Sequence, residues 1–98
     1  MVSKIYRQRV TRAAKLFRLV ASPTRALILS TLTSRKTCSV QELASEIDMT
    51  HSAVSHQLAL LSRAKIVKAA KDGRNTHYSV APSTEAKALS RFLTTLLG

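Results

Sequence analysis

Residues 40–61 read Val40-Gln41-Glu42-Leu43-Ala44-Ser45-Glu46-Ile47, Asp48-Met49-Thr50, His51-Ser52-Ala53-Val54-Ser55-His56-Gln57-Leu58-Ala59-Leu60-Leu61. Leu43, Ala44 and Ile47, then Val54, Leu58 and Leu61, fall at three- and four-residue spacing, which predicts two short helices with one buried stripe each. Asp48 to Thr50 breaks the pattern, and Thr50 is placed to cap the second helix. Thr50, His51, Ser52, Ser55, His56 and Gln57 are left over for the outer face of that helix. Short hydrogen-bonding side chains of this kind suit the base edges and phosphates of a major groove.

Working outward, Ser39 followed by Glu42 forms a capping box for the first helix of the pair. The second helix is expected to run to about Ala64. The period then changes. Ile66–Lys71 and Thr76–Val80 look like strands, with Asp72-Gly73 as the hairpin turn between them. Upstream, Ser22-Pro23 caps a helix through Arg25–Leu32 that is apolar nearly all round and so central. Residues 3–20 form a basic amphipathic helix with Ile5, Ala13, Leu16, Phe17 and Val20 on one side, and Thr33 to Cys38 is a polar turn. Pro82-Ser83 opens a last helix with the stripe Ala86, Leu89, Phe92, Leu93, Leu96 and Leu97. No repeat, low-complexity segment or linker interrupts the chain.

The 98 residues are enough for one domain, and a 45% hydrophobic fraction is enough for its core. Aromatic residues make up only 4%, so Leu, Ile, Val and Ala must fill that core. Sixteen Lys and Arg against five Asp and Glu give +11, a balance that implies a polyanionic partner. Glu42, Glu46 and Asp48 lie on or just after the first helix of the pair. No acid lies between Thr50 and Lys71, so the surface expected to face phosphates carries no carboxylate. The lone Cys38 fits a reducing cytoplasm. No apolar run is long enough to span a membrane, and the basic N-terminal segment lacks the continuous apolar stretch of a signal peptide. A cytoplasmic location is expected.

The run Ala21-Ser22-Pro23-Thr24-Arg25, then Val54-Ser55-His56-Gln57-Leu58, then Ala64-Lys65-Ile66-Val67 with Asp72-Gly73-Arg74 and His77-Tyr78, resembles the ArsR (ArsR/SmtB-type) family of winged helix-turn-helix transcriptional regulators. The likeness covers residues 12–95. It implies a mainly α fold with a small β-hairpin: about five helices plus a two-stranded wing, dimeric. The whole chain, 1–98, is then one winged helix-turn-helix domain, with dimerisation helices at 1–20 and 82–98, the helix-turn-helix at 39–64 and the wing at 66–80. It further implies a repressor that binds operator DNA and releases it on a signal. The recognition helix would be Thr50–Leu61, with His51 at the groove entrance.

Sequence and resemblance together assign Ser55, His56 and Gln57 to base reading. Lys68, Lys71, Arg74 and Arg63 are assigned to phosphates, which set register and affinity. For Ser55 and Gln57 the alternative is a solvated polar side chain. The last apolar stripe has little else in a chain this size to cover it. Leu16, Phe17, Leu89, Phe92, Leu93 and Leu96 are therefore expected at a homodimer interface, and two-fold symmetry then predicts an inverted-repeat operator with half-sites about 10 bp apart.

Relatives that capture soft metals carry Cys-Val-Cys where this chain has Ser39-Val40-Gln41. One thiol cannot replace that set. The last helix has no His, Cys or Asp, and His51 and His56 are five apart, unlike an i, i+4 zinc pair. No metal site and no cofactor is expected, and no inducer can be named. Three alternatives remain: an architectural, nucleoid-type DNA binder of low specificity, a Cys38-based redox regulator whose thiol is acidified by a helix start, and a winged helix that has become a protein-interaction module. No phosphate loop, carboxylate pair or activated nucleophile points to an enzyme.

Overall fold

In a computed structural model, all residues from Met1 to Gly98 are described. Five helices surround a small sheet: α1 (Lys4–Val20), α2 (Pro23–Arg35), β1 (Cys38–Ser39), α3 (Val40–Glu46), α4 (His51–Arg63), β2 (Val67–Asp72), β3 (Asn75–Val80) and α5 (Thr84–Leu97). Each helix starts on a capping hydroxyl. Ser3, Ser22, Ser39, Thr50 and Ser83 accept from backbone N–H groups one turn in, and Pro23 occupies the first turn of α2. The Ser39–Glu42 capping box is complete in both directions, at 3.1 Å and 2.9 Å.

The core is aliphatic. Ile28, Leu29 and Leu32 of α2 meet Leu43, Val54, Leu58, Leu61 and Ile66, all fully or almost fully buried. α2 is central, in contact with α1, α4, β3 and α5. The apolar stripes of α3 and α4 turn toward it, which fixes how the helix pair is rolled.

Two Schellman turns close the helix pair. Met49 N–H donates to the Ala44 carbonyl at 3.0 Å, and Ile66 N–H donates to the Leu61 carbonyl at 2.9 Å. The left-handed positions they need are filled by Asp48 (φ 55°) and Lys65 (φ 62°), not by glycine. The second turn sends the chain straight from α4 into the sheet.

The sheet departs from the sequence expectation in two ways. It has three strands, in the order β1-β3-β2, all antiparallel. Cys38 and Ser39, expected in or beside a polar turn, pair with Tyr78 and His77. The hairpin loop is also shifted by one residue. Asp72 pairs with Asn75, which leaves Gly73-Arg74 as the two-residue loop. Only Gly73 has positive φ there (64°), as in a type II′ turn with glycine first.

α1 stands apart. Residues 1–15 are all exposed, and only Val20 is buried. Its last turns lean on α5 through the Phe17–Phe92 edge-to-face pair (ring centroids 6.1 Å apart) and the exposed Arg12–Glu85 ion pair at 3.3 Å. Of the expected interface residues, Leu89 belongs to the subunit's own core, and Leu16 and Leu93 lie half-buried against that core. Phe17, Phe92 and Leu96 are exposed, joined by Ile5, Tyr6, Val10 and Leu97.

Candidate nucleic-acid interface

The roll of α4 decides which of its polar residues face outward. Val54, Leu58 and Leu61 are fully buried. Opposite them, Ser52, His56, Ala59 and Arg63 are exposed and form one row at four-, three- and four-residue spacing. His51 is exposed at the helix start. Thr50 spends its hydroxyl oxygen on the Ala53 N–H at 3.1 Å, so its main work is capping.

Ser55 and Gln57 lie on opposite shoulders of the helix. Ser55 turns toward the wing. It lines a polar cleft of about 350 Å³ with His51, Gln41, Arg74, Thr76 and Tyr78. Gln57 turns the other way, toward α2. Its side-chain oxygen accepts from Arg25 Nε at 2.8 Å, while Arg25 Nη1 donates to the Leu19 carbonyl at 3.1 Å. Arginine has no acceptor, so the Gln57 amide must present oxygen to it. One half-buried guanidinium thus joins the last turn of α1 to the middle of α4, a role that the sequence alone did not assign to Arg25.

The pleat sorts the basic residues of the wing. Cross-strand partners share a face, so Lys71 lies with Thr76, Tyr78 and Val67 on the side of the cleft, whereas Lys68 lies with Ser79 on the other. Arg74 is at the loop tip and also lines the cleft. Arg74 therefore joins His51 and Ser55 beside the start of α4, Lys71 lies on the same face of the wing as Thr76 and Tyr78 of the cleft, and Lys68 does not.

Two of the five acids, Glu42 and Glu46, are engaged on α3, whereas Asp72 stands beside the loop of the wing. Arg35 pairs with Glu46 at 3.0 Å and with Glu42 at 3.7 Å. Hydrogen bonds from Ser39 pull the Glu42 carboxyl below its usual pKa, with Arg35 adding to the effect. That depression supports folding above the unfolded carboxylate value and is lost as pH falls through the folded one. Cys38 is fully buried, and desolvation pushes its thiol above the ordinary value, although Arg35 pulls the other way. A raised thiol pKa is the opposite of what a reactive cysteine needs. No three His, Cys, Asp or Glu side chains gather into one cluster, and no helix is long and apolar enough to cross a membrane.

A family model described as a helix-turn-helix domain matches residues 20–68, half of the chain. The transcriptional repressor SmtB homolog of Synechocystis sp. is 40% identical over 68 residues, which are 69% of this chain and 51% of that protein. The chain thus spans about half the length of that relative. The HTH-type transcriptional regulator CmtR of Mycobacterium tuberculosis is 35% identical over 89 residues, 91% of this chain and 75% of its own. Among solved structures, reduced HlyU from Vibrio cholerae superposes with a TM-score of 0.85 at 31% identity, covering 96% of this chain and 97% of that one.

Proposed function

This chain belongs to the ArsR/SmtB-type family of helix-turn-helix transcriptional regulators, and from that premise we propose that it represses transcription as a homodimer on an inverted-repeat operator. The observation that carries the reading is the acid-free row Ser52, His56, Ala59 and Arg63 on the outer face of α4, beside the cleft that gathers His51, Ser55 and Arg74, with Lys71 on the same face of the wing.

In this reading α4 enters the major groove, with Ser52 and His56 facing base edges and Ser55 at the rim. Arg63, Lys71 and Arg74 hold phosphates on either side of the groove. Lys68, on the far face of the wing, adds to the field without sharing that contact. Gln57 serves through Arg25 and α2 rather than at a base. The protein acts in the cytoplasm as a non-enzymatic binder of double-stranded DNA.

The test is a double substitution, Lys71→Glu with Arg74→Glu, checked for intact fold by circular dichroism. Binding to a selected inverted-repeat duplex should be lost, because each contact is replaced by repulsion from a phosphate. Unchanged retention would reject the wing's role. An affinity for the selected duplex equal to that for a shuffled duplex of the same length would instead favour the architectural alternative.

A further inference from the structure

A second polar cleft, of about 460 Å³, opens between the end of α2, β3 and the middle of α5. Lys36 comes to it from the end of α2, and Lys87 and Arg91 come from successive turns of α5. All three are exposed, and none is paired with a carboxylate. Lys68, on the face of the wing turned from the start of α4, stands directly across the hairpin from Ser79 of this cleft. An unpaired cation is ordinary in a chain of +11. What sets these apart is that separate elements bring them to one concave site. The surrounding elements supply no acid to it. α2 and β3 have none, Glu85 of α5 turns to the opposite shoulder of its helix to meet Arg12, and Asp72 lies at the hairpin end of β2.

The backbone at Lys36 points the same way. It caps α2 at φ 74° and ψ −47°, outside the left-handed helical well, where glycine would be unstrained. A lysine stands in that strained position although no carboxylate of the subunit takes its ammonium, and backbone strain of this kind gathers at functional sites. On α5, Lys87 and Arg91 are one turn apart and repel each other. The floor of the cleft is already committed. The Thr33 and Ser90 hydroxyls lie 3.0 Å apart and tie α2 to α5, and Thr94 donates to the Ser90 carbonyl at 2.9 Å. What the cleft still offers is the Ser79 hydroxyl and three cationic head groups, and lysine and arginine can only donate. Its volume is that of a small-molecule site, but its lining is polar where such sites are mostly apolar. The ligand that fits is compact, negative and rich in acceptor oxygens.

The cleft is separate from the other two surfaces. Ser79 alternates with Tyr78 along β3, so it lies on the opposite face of the wing from the cleft at the start of α4. Lys87 and Arg91 lie on the shoulder of α5 turned away from Ala88 and Phe92, which face α1. We propose that this cleft binds a small phosphate compound carrying at least two phosphate groups, held by Lys36, Lys87 and Arg91 with the Ser79 hydroxyl. Charge-assisted hydrogen bonds to phosphate oxygens suit both cation types. Two linked phosphate groups reach the end of α2 and α5 together, and the bound charge relieves the repulsion between Lys87 and Arg91. The site stands whether or not α4 reads DNA.

Pyrophosphate is the probe, titrated by calorimetry in 0.15 M sodium chloride, where the field of distant charges is screened beyond roughly 8 Å. Wild type is compared with Lys36→Gln, Lys87→Gln, Arg91→Gln combined, and with Lys71→Gln, Arg74→Gln on the wing. Glutamine keeps helix propensity close to that of Lys and Arg, and circular dichroism checks the fold. Wild type should bind pyrophosphate saturably. The triple variant should bind it at least about tenfold more weakly, because the charge-assisted bonds are gone, while the wing variant should bind it like wild type. Backbone amide NMR shifts of wild type locate the ligand even if the triple variant fails to fold, and they should centre on Lys36, Ser79, Lys87 and Arg91. No saturable binding, an equal loss in the wing variant, or shifts centred on α4 and the wing loop would overturn the proposal. Citrate binding as tightly as pyrophosphate would overturn the assignment to phosphate and leave charge alone as the cause.

Discussion

Arg25 shows how much one side chain can decide at the residue scale. Its guanidinium donates to Gln57 and to the Leu19 carbonyl, both at ordinary hydrogen-bond lengths in a half-buried site. Removing it leaves two half-buried acceptors without that donor, so Arg25→Ala should cost about 1–3 kcal/mol of stability. The larger effect should fall on DNA discrimination, since Gln57 sits one residue from His56 on the reading helix. We expect the ratio of operator to shuffled-duplex affinity to fall several-fold while shuffled-duplex affinity stays near wild type. Gln57→Glu, which keeps an acceptor for Arg25, should preserve that ratio, whereas Gln57→Leu should lose it. An unchanged ratio in both Arg25→Ala and Gln57→Leu would show the contact to be structural only. The orientation of Gln57 was within reach of the sequence: it is three residues after Val54 and four before Leu61, both buried, and so on a shoulder. Its partner was not, because 32 residues separate the two and no local pattern links them.

Elements were legible where periodicity and capping agreed. Ser22-Pro23, Ser39 with Glu42, and Thr50 announce three helix starts, and each hydroxyl makes its capping bond. β1 was not legible. Two residues carry no period, and Cys38 and Ser39 become a strand only because β3 offers its second edge. The hairpin loop was misplaced by one residue because Asp-Gly suits a type I′ turn, whereas pairing of Asp72 with Asn75 moves the loop to Gly73-Arg74. The turn out of α4 hid its conformation for a related reason. Lys65 sits at φ 62° where glycine is usual, and nothing in its chemistry advertises that. Left-handed backbone costs a non-glycine residue roughly 1–2 kcal/mol, part of which the flexibility of glycine in the unfolded chain takes back. Lys65→Gly should therefore stabilise by about 0.5–1 kcal/mol, seen as a thermal midpoint higher by a few degrees. A lowered midpoint would mean that the Lys65 side chain contributes more than its backbone strain removes.

At the scale of the whole molecule, the subunit is polarised between a closed aliphatic core and an arm that its own residues do not cover. Ile5, Tyr6, Val10, Phe17, Phe92, Leu96 and Leu97 are exposed together on α1 and α5. Hydrophobic residues exposed in such number on neighbouring elements mark an association surface. A free helix of this length is also marginal in water without packing. A second copy meets both needs, and a two-fold axis there would present two reading helices to one duplex. Phe17→Glu with Phe92→Glu puts like charges where the aromatic pair stands while sparing every fully buried residue. The variant should elute at the mass of one chain, near 10.7 kDa, where wild type should elute at twice that. It should keep the ellipticity of the core helices and lose part of that from α1. Operator affinity should drop by about a hundredfold or more, since the second half-site no longer benefits from the first. Binding to one isolated half-site should change little. A variant that stays dimeric would move the interface elsewhere, and a monomer that binds the full operator like wild type would remove the two-fold arrangement from the account.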